Sequence, residues 1–243
     1  MEQSNTQLQD VISADETPKP DPAIQLRTVS VVEAAADALR QMVLDGTLEP
    51  GARLVETDFS QRLGIARHTF RAATQILIGE GLLRRSPNRG VQLAVLGKGD
   101  IVDIFRLRAA LELEAVQLVI EAGSGAPPAL EAAVEKLNGL ASNASWRQVV
   151  DADMAFHRAL IDGAGSERIA RAYAGVQSEI LLCMAQLRPH YDRPDEVAQE
   201  HRDLIEPIVS GDAELAEKRF RVHLDEATEN LTKALKAQEE ENA

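Results

Sequence analysis

Beyond Gly97 the chain repeats one pattern as far as about residue 238. Apolar residues recur every three or four positions, and short breaks at GSGAPP, NAS, GAGS, RPHYDRPD and SGD divide the run. That period predicts helices near 99–122, 128–141, 145–163, 167–188, 196–210 and 212–238. Six helices joined by short connections can bury their apolar faces only against one another, so 99–238 is expected to be an all-α bundle. The low aromatic content, 3%, disfavours a sandwich or barrel, and 44% hydrophobic residues suffice for sizeable cores.

The segment before the bundle reads differently. Residues 1–28 are polar, carry Pro18, Pro20 and Pro22, and have no apolar period, which predicts a disordered arm. From Ser30, Val32, Ala36, Leu39 and Val43 trace one helix that stops at DGTLEPG. A short helix fits ETDFSQRLG, Gly64 supplies a turn, and another helix runs from about Arg67 to Gly81. LLRRSPNRGVQLAVL then reads as a β-hairpin with a Pro-Asn-Arg-Gly tip. Helix, helix, turn, helix and hairpin over 29–95 make a winged helix-turn-helix.

The net charge of −13 argues against a nucleic-acid partner until it is divided along the chain. Residues 96–243 hold 16 basic against 27 acidic groups, whereas 29–95 hold eight arginines against seven acidic groups. Six of those arginines fall between Arg62 and Arg89, where a polyanion such as double-stranded DNA could bind. A recognition helix puts its first turn into the major groove, and here that turn is ARHTFR. Arg67 and Arg71 share a face, with His68 and Thr69 beside them. At the wing tip Arg89 could enter a minor groove while Gly90 permits the turn. Arg53 could hold a phosphate or simply pair with Glu56.

The lone cysteine, Cys183, sits in ILLCMAQL and is expected to be a buried thiol, compatible with a reducing cytoplasm. With no apolar run near the length of a membrane span and no signal-peptide pattern at the start, a cytoplasmic protein without a membrane partner is expected.

The bundle carries polar residues where its own period calls for core. Asp153 and His157 share a face with Leu160 and Ile161. His201 lies with Leu204, Ile205 and Ile208, and His223 with Phe220, Ala227 and Leu231. Unpaired charge there would cost several kcal/mol, so these groups must satisfy one another or bind something. One Asp and three His suit a divalent transition metal, zinc first, with nickel or manganese as alternatives. Arg108, in the middle of an apolar face, could clamp a carboxylate or form an internal salt bridge with Glu112, one turn on.

Motifs in both halves carry a resemblance. DGTLEPGARLVE, RLGIARHTFR and GEGLLRRSPNRGV, within Arg40 to Val95, resemble the N-terminal domain of the GntR family of bacterial transcription regulators. DIFRLRAALELEA, DADMAFHRAL, EHRDLIEPIVSGD and RVHLDEA resemble the helical FCD effector domain of its FadR subfamily. The resemblance implies DNA contacts at Arg67, Arg71 and the Arg89–Gly90 tip, a metal held by Asp153, His157, His201 and His223, and an acidic effector held by Arg108. Ala66 departs from the Ser or Thr that usually caps the recognition helix, RAAT replaces Arg-Glu-Ala-Leu, and Ser166 replaces an Asn common near GAGS.

The function expected from all this is not enzymatic. It is a homodimeric, ligand-responsive regulator, a repressor released from operator DNA by a small carboxylate bound at the metal site. Two alternatives stand beside it: a regulator whose metal is the signal or purely structural, and a metal-dependent hydrolase. Four protein ligands leave little room for a hydrolase substrate, and no separate general base stands out.

Overall fold

A computed structural model describes residues 30–87, 89–123, 125–187 and 194–241. The arm expected over 1–28 lies outside the described residues, as does most of the RPHYDRPD break. The first described helix, α1 (Val31–Leu44), buries Ala35, Ala36, Leu39 and Val43 at the predicted spacing. A two-residue strand, β1 (Arg53–Leu54), leads into α2 (Glu56–Leu63). Gly64 ends α2 in the left-handed region at φ 64°, where only glycine is unstrained, and so aims α3 (Arg67–Gly79). β2 (Leu83–Ser86) and β3 (Gly90–Leu93) form the expected hairpin, Gly90 opening β3 at φ 76°. β1 joins it antiparallel, Arg53 opposite Gln92, to give the strand order β1-β3-β2. Leu39, Phe70, Leu77, Leu82 and Leu83 are buried among these elements.

Among the described residues the bundle has the six predicted helices: α4 (Lys98–Glu121), α5 (Pro128–Asn138), α6 (Trp146–Gly163), α7 (Glu167–Gln186), α8 (Pro194–Ser210) and α9 (Ala213–Glu241). α6 starts at a capping box in which Ser145 Oγ accepts from the Gln148 backbone N–H and Gln148 Oε1 accepts from the Ser145 N–H. α3, by contrast, starts at Ala66 with no side-chain cap. The long helices α4 and α9 pack along one another, α7 lies against α4, and α5 bridges α6 and α8. α4, α6, α8 and α9 thereby enclose a core containing Phe105, Phe156, Leu160, Leu204 and Phe220.

The winged helix is bonded to the bundle at several points. Arg147 near the start of α6 pairs with Asp45 and donates to Gln41 at the end of α1. Gln186 at the end of α7 donates to the Ala94 carbonyl at 2.8 Å.

Candidate functional site

The four polar residues that the period turned inward meet at one point. Asp153 and His157 come from consecutive turns of α6, His201 from α8 and His223 from α9, and one ligand atom from each lies within 4.8 Å of all the others. His157 and His201 are fully buried, Asp153 is 6% exposed, and the His223 side chain is 10% exposed. The three imidazoles pack mutually, with ring centroids 5.2–5.4 Å apart, and Phe156 walls the cluster through edge contacts to His157 and His201.

Hydrogen bonding fixes the tautomers. His157 Nδ1–H donates to Glu112 Oε2 at 2.8 Å, and His201 Nδ1–H donates to the Val197 carbonyl at 2.8 Å. Each ring therefore presents Nε2 to the cluster. The two Nε2 atoms are 3.4 Å apart, and Asp153 Oδ1 lies 3.1 Å from that of His201 and 3.8 Å from that of His157. Ligand atoms about 2.0–2.1 Å from a tetrahedral ion stand about 3.3 Å apart, so these three atoms are near the spacing a zinc-sized cation requires, and the His223 atom lies within 4.8 Å of each. Asp153 Oδ2 is buried without a hydrogen-bond partner, a further acceptor in want of a positive charge.

Electrostatics agree with the donor set. Burial and the Arg108 charge hold His157 below the ordinary imidazole range, and burial together with the two other rings holds His223 well below it, so both stay neutral lone-pair donors. Burial also opposes charge on His201, but the hydrogen bond and charge of Asp153 overcome it and raise that ring. Burial works against the Asp153 charge in turn, but the His201 hydrogen bond together with the charges of His157, His201 and Arg108 outweighs it and holds the carboxyl low. The cluster thus favours the ionised carboxylate and concentrates its demand for positive charge at His201.

A supporting layer lies behind the ligands. Glu112 accepts from His157 Nδ1–H on Oε2 and, on Oε1, accepts from Arg108 Nε at 2.7 Å and from the Tyr173 hydroxyl at 3.1 Å. Glu112 and Arg108 are 0% and 1% exposed. Burial works against the Glu112 charge, yet Arg108 and His157 bring its carboxyl down to about 2. The internal salt bridge is thus the arrangement in which Arg108 is found, with its Nη2 buried and lacking a hydrogen-bond partner. Glu112 and Tyr173 were not among the expected site residues. The Arg108/Glu112 spacing signals the first, and nothing in the sequence signals the second.

On the winged helix, Arg67, His68 and Arg71 are exposed along the start of α3, and Arg53 and Arg89 are exposed on β1 and at the wing. Arg53, Arg71 and Gly90 line a groove of about 390 Å³, together with Arg85. Glu56 pairs not with Arg53 but with Arg71, accepting from its Nε at 2.7 Å and its Nη2 at 2.9 Å. Thr69 corrects the expectation: it is 6% exposed and buried beside Phe70 and Ala73, because one step along the helix from His68 turns a side chain about 100° towards the core. Thr69 thus presents little of the surface that its exposed neighbours Arg67, His68 and Arg71 offer.

No described helix is long and apolar enough to cross a membrane. The family model for bacterial regulatory proteins of the gntR family matches residues 31–93, and the FCD domain model matches residues 103–226. The chain is 27% identical over 199 residues to the HTH-type transcriptional regulator YdhC of Bacillus subtilis, covering 81% of this chain and 89% of that one. It is 25% identical to the "Probable D-xylose utilization operon transcriptional repressor" of Paenarthrobacter nicotinovorans, covering 82% and 88%. A GntR transcriptional regulator of known structure from Rhodococcus sp. RHA1 superposes with a TM-score of 0.71 at 27% identity, covering 82% of this chain and 96% of that one. These families and relatives are regulators rather than enzymes. The chain belongs to the GntR family of bacterial regulatory proteins and is a transcriptional regulator with a winged helix-turn-helix and an FCD domain.

Proposed function

We propose that this regulator is a homodimeric repressor whose FCD domain holds a divalent cation and releases operator DNA when a small carboxylate binds. The observation that carries the cation is the pair of imidazole Nε2 atoms 3.4 Å apart, each ring having already committed its Nδ1–H elsewhere. Two Nε2 atoms facing across that distance, with a carboxylate beside them, call for a positive charge, which a proton on His201 supplies in the absence of a cation and a bound cation would replace. Asp153, His157, His201 and His223 would hold the ion, with zinc first and nickel or manganese as alternatives. When bound, the ion supplies a positive centre able to attract an anionic effector.

Arg53, Arg67, His68, Arg71 and the Arg89–Gly90 wing tip are the proposed DNA contacts. Two copies of the 29–95 domain, joined through the 99–238 domain, would read a pseudo-palindromic operator, so a small rotation in the bundle misplaces one recognition helix. The relative from Paenarthrobacter nicotinovorans supports repression by its name. A hundredfold fall in operator affinity needs about 2.7 kcal/mol of coupling between effector and DNA.

One observation favours a second reading. Arg108 is buried and already bonded to Glu112, so its freedom to clamp a carboxylate is limited to the unpartnered Nη2. In that reading the cation alone is the signal or a structural element. A thermal-shift panel of small carboxylates against metal-loaded protein, metal-stripped protein and Arg108→Ala separates them. Stabilisation by an acid that vanishes on stripping and weakens in Arg108→Ala supports the effector reading. No acid response beside strong stabilisation by the metal alone supports the second.

A further inference from the structure

A second groove of about 390 Å³ opens between α8 and α9, its charged lining made of Glu200 and Asp203 on one side and Lys218, Arg219 and Glu226 on the other, with His223 beside them. His223 is the one member of the four-residue cluster that lines it. Its ring therefore forms the wall between solvent and the buried cluster. Just outside, Glu200 Oε2 lies 3.8 Å from His223 Nδ1, and the Glu200 side chain is 43% exposed. Glu226 lines the same mouth, so with Glu200 two carboxylates stand on the solvent side of His223. On the inner side the unpartnered, buried Asp153 Oδ2 waits for a positive charge.

We propose that this groove is the route by which a divalent cation reaches and leaves the cluster, with Glu226 and Glu200 as transient carboxylate contacts ahead of His223. The inference rests on the cation-binding reading above and adds its pathway. Lys218 and Arg219 share this mouth with the carboxylates, so the cation would be guided by the carboxylates nearest His223 rather than by the net charge of the groove. A carboxylate within reach of an imidazole Nδ1 also orients that ring, so Glu200 is a positioning residue as well as a stepping stone.

The experiment uses the metal-stripped full chain and Zn²⁺, with uptake followed by stopped-flow fluorescence of Trp146 or by competition with a chromophoric chelator. Glu200→Gln with Glu226→Gln should slow Zn²⁺ association at least fivefold at low ionic strength. The difference should shrink as salt screens the mouth, and saturation should still reach one ion per chain. A control, Glu239→Gln near the end of α9, should match the native rate. The single Glu200→Gln should additionally raise the release rate, which a purely electrostatic mouth would not do. Native uptake of one ion with unchanged rates in the double variant overturns the route and leaves the four-ligand site standing. If the native chain takes up no Zn²⁺, the site itself falls and the route with it.

Discussion

Arg71 and Arg108 are each bonded to a glutamate, one pair in water and one in the core, and the pairs have opposite energetics. The Arg71–Glu56 bridge lies on the proposed DNA face, with the arginine side chain 69% exposed, so solvent takes over readily when a partner is lost or when a phosphate competes. The Arg108–Glu112 bridge is almost wholly removed from solvent and tied to Tyr173 and His157. Removing one partner there strands a buried charge. The two halves of the chain thus use the same residue types differently. The winged helix keeps its charges exchangeable so that they can be given to DNA, and the bundle locks its charges so that they can hold a site in shape.

The largest effect expected from this contrast is on stability. Glu112→Ala should destabilise the metal-stripped protein by about 3–5 kcal/mol in urea unfolding, because Arg108 and the His157 Nδ1–H lose their shared acceptor. Glu56→Gln on the other face should leave the unfolding midpoint unchanged. Equal effects would erase the distinction between the two pairs.

The next effect is on the cation. Asp153→Ala and His157→Ala should each weaken Zn²⁺ binding at least hundredfold by isothermal titration, whereas Tyr173→Phe, which loses only the hydroxyl bonded to Glu112, should weaken it by tenfold or less. A Tyr173→Phe effect as large as that of a ligand would move the hydroxyl into the binding set.

On the DNA side, Arg71→Ala should remove discrimination between operator and scrambled duplex, a loss of about 1–3 kcal/mol at the bases it reads, seen by fluorescence anisotropy. Thr69→Ser should leave discrimination intact, since residue 69 is buried. Discrimination lost in both variants would return Thr69 to the interface.

The smallest effect concerns Cys183, buried among apolar residues with its thiol pushed up to about 12, chiefly by burial. At pH 8 it should react with a thiol reagent only on unfolding. Rapid reaction in the native protein would mean that α7 opens locally.

The parts of this molecule legible in the sequence are those that depend on helix period. Asp153, His157, His201 and His223 fall on inward faces because residues spaced three and four apart share a face, and the helices that carry them could be read in the same way. What was not legible depends on contacts between elements. β1 is two residues long and has no period of its own, existing because Arg53 and Leu54 find β3. Glu112 could be paired with Arg108 one turn away, but its bond to His157, 45 residues on, needs α4 and α6 to be packed. Tyr173 looks like any apolar helix residue until α7 brings its hydroxyl to Glu112. Thr69 failed for a finer reason: near the end of a helix, whether a side chain faces groove or core turns on a single residue step.

The central claim is that the four inward polar residues form a cation site, and Zn²⁺ titration of the metal-stripped protein tests it most directly, with melting temperature and bound metal measured on the same samples. The account predicts a rise in melting temperature that saturates at one ion per chain and is lost in Asp153→Ala. No rise, or an equal rise in Asp153→Ala, would contradict it and leave the cluster as a set of buried side chains satisfying one another.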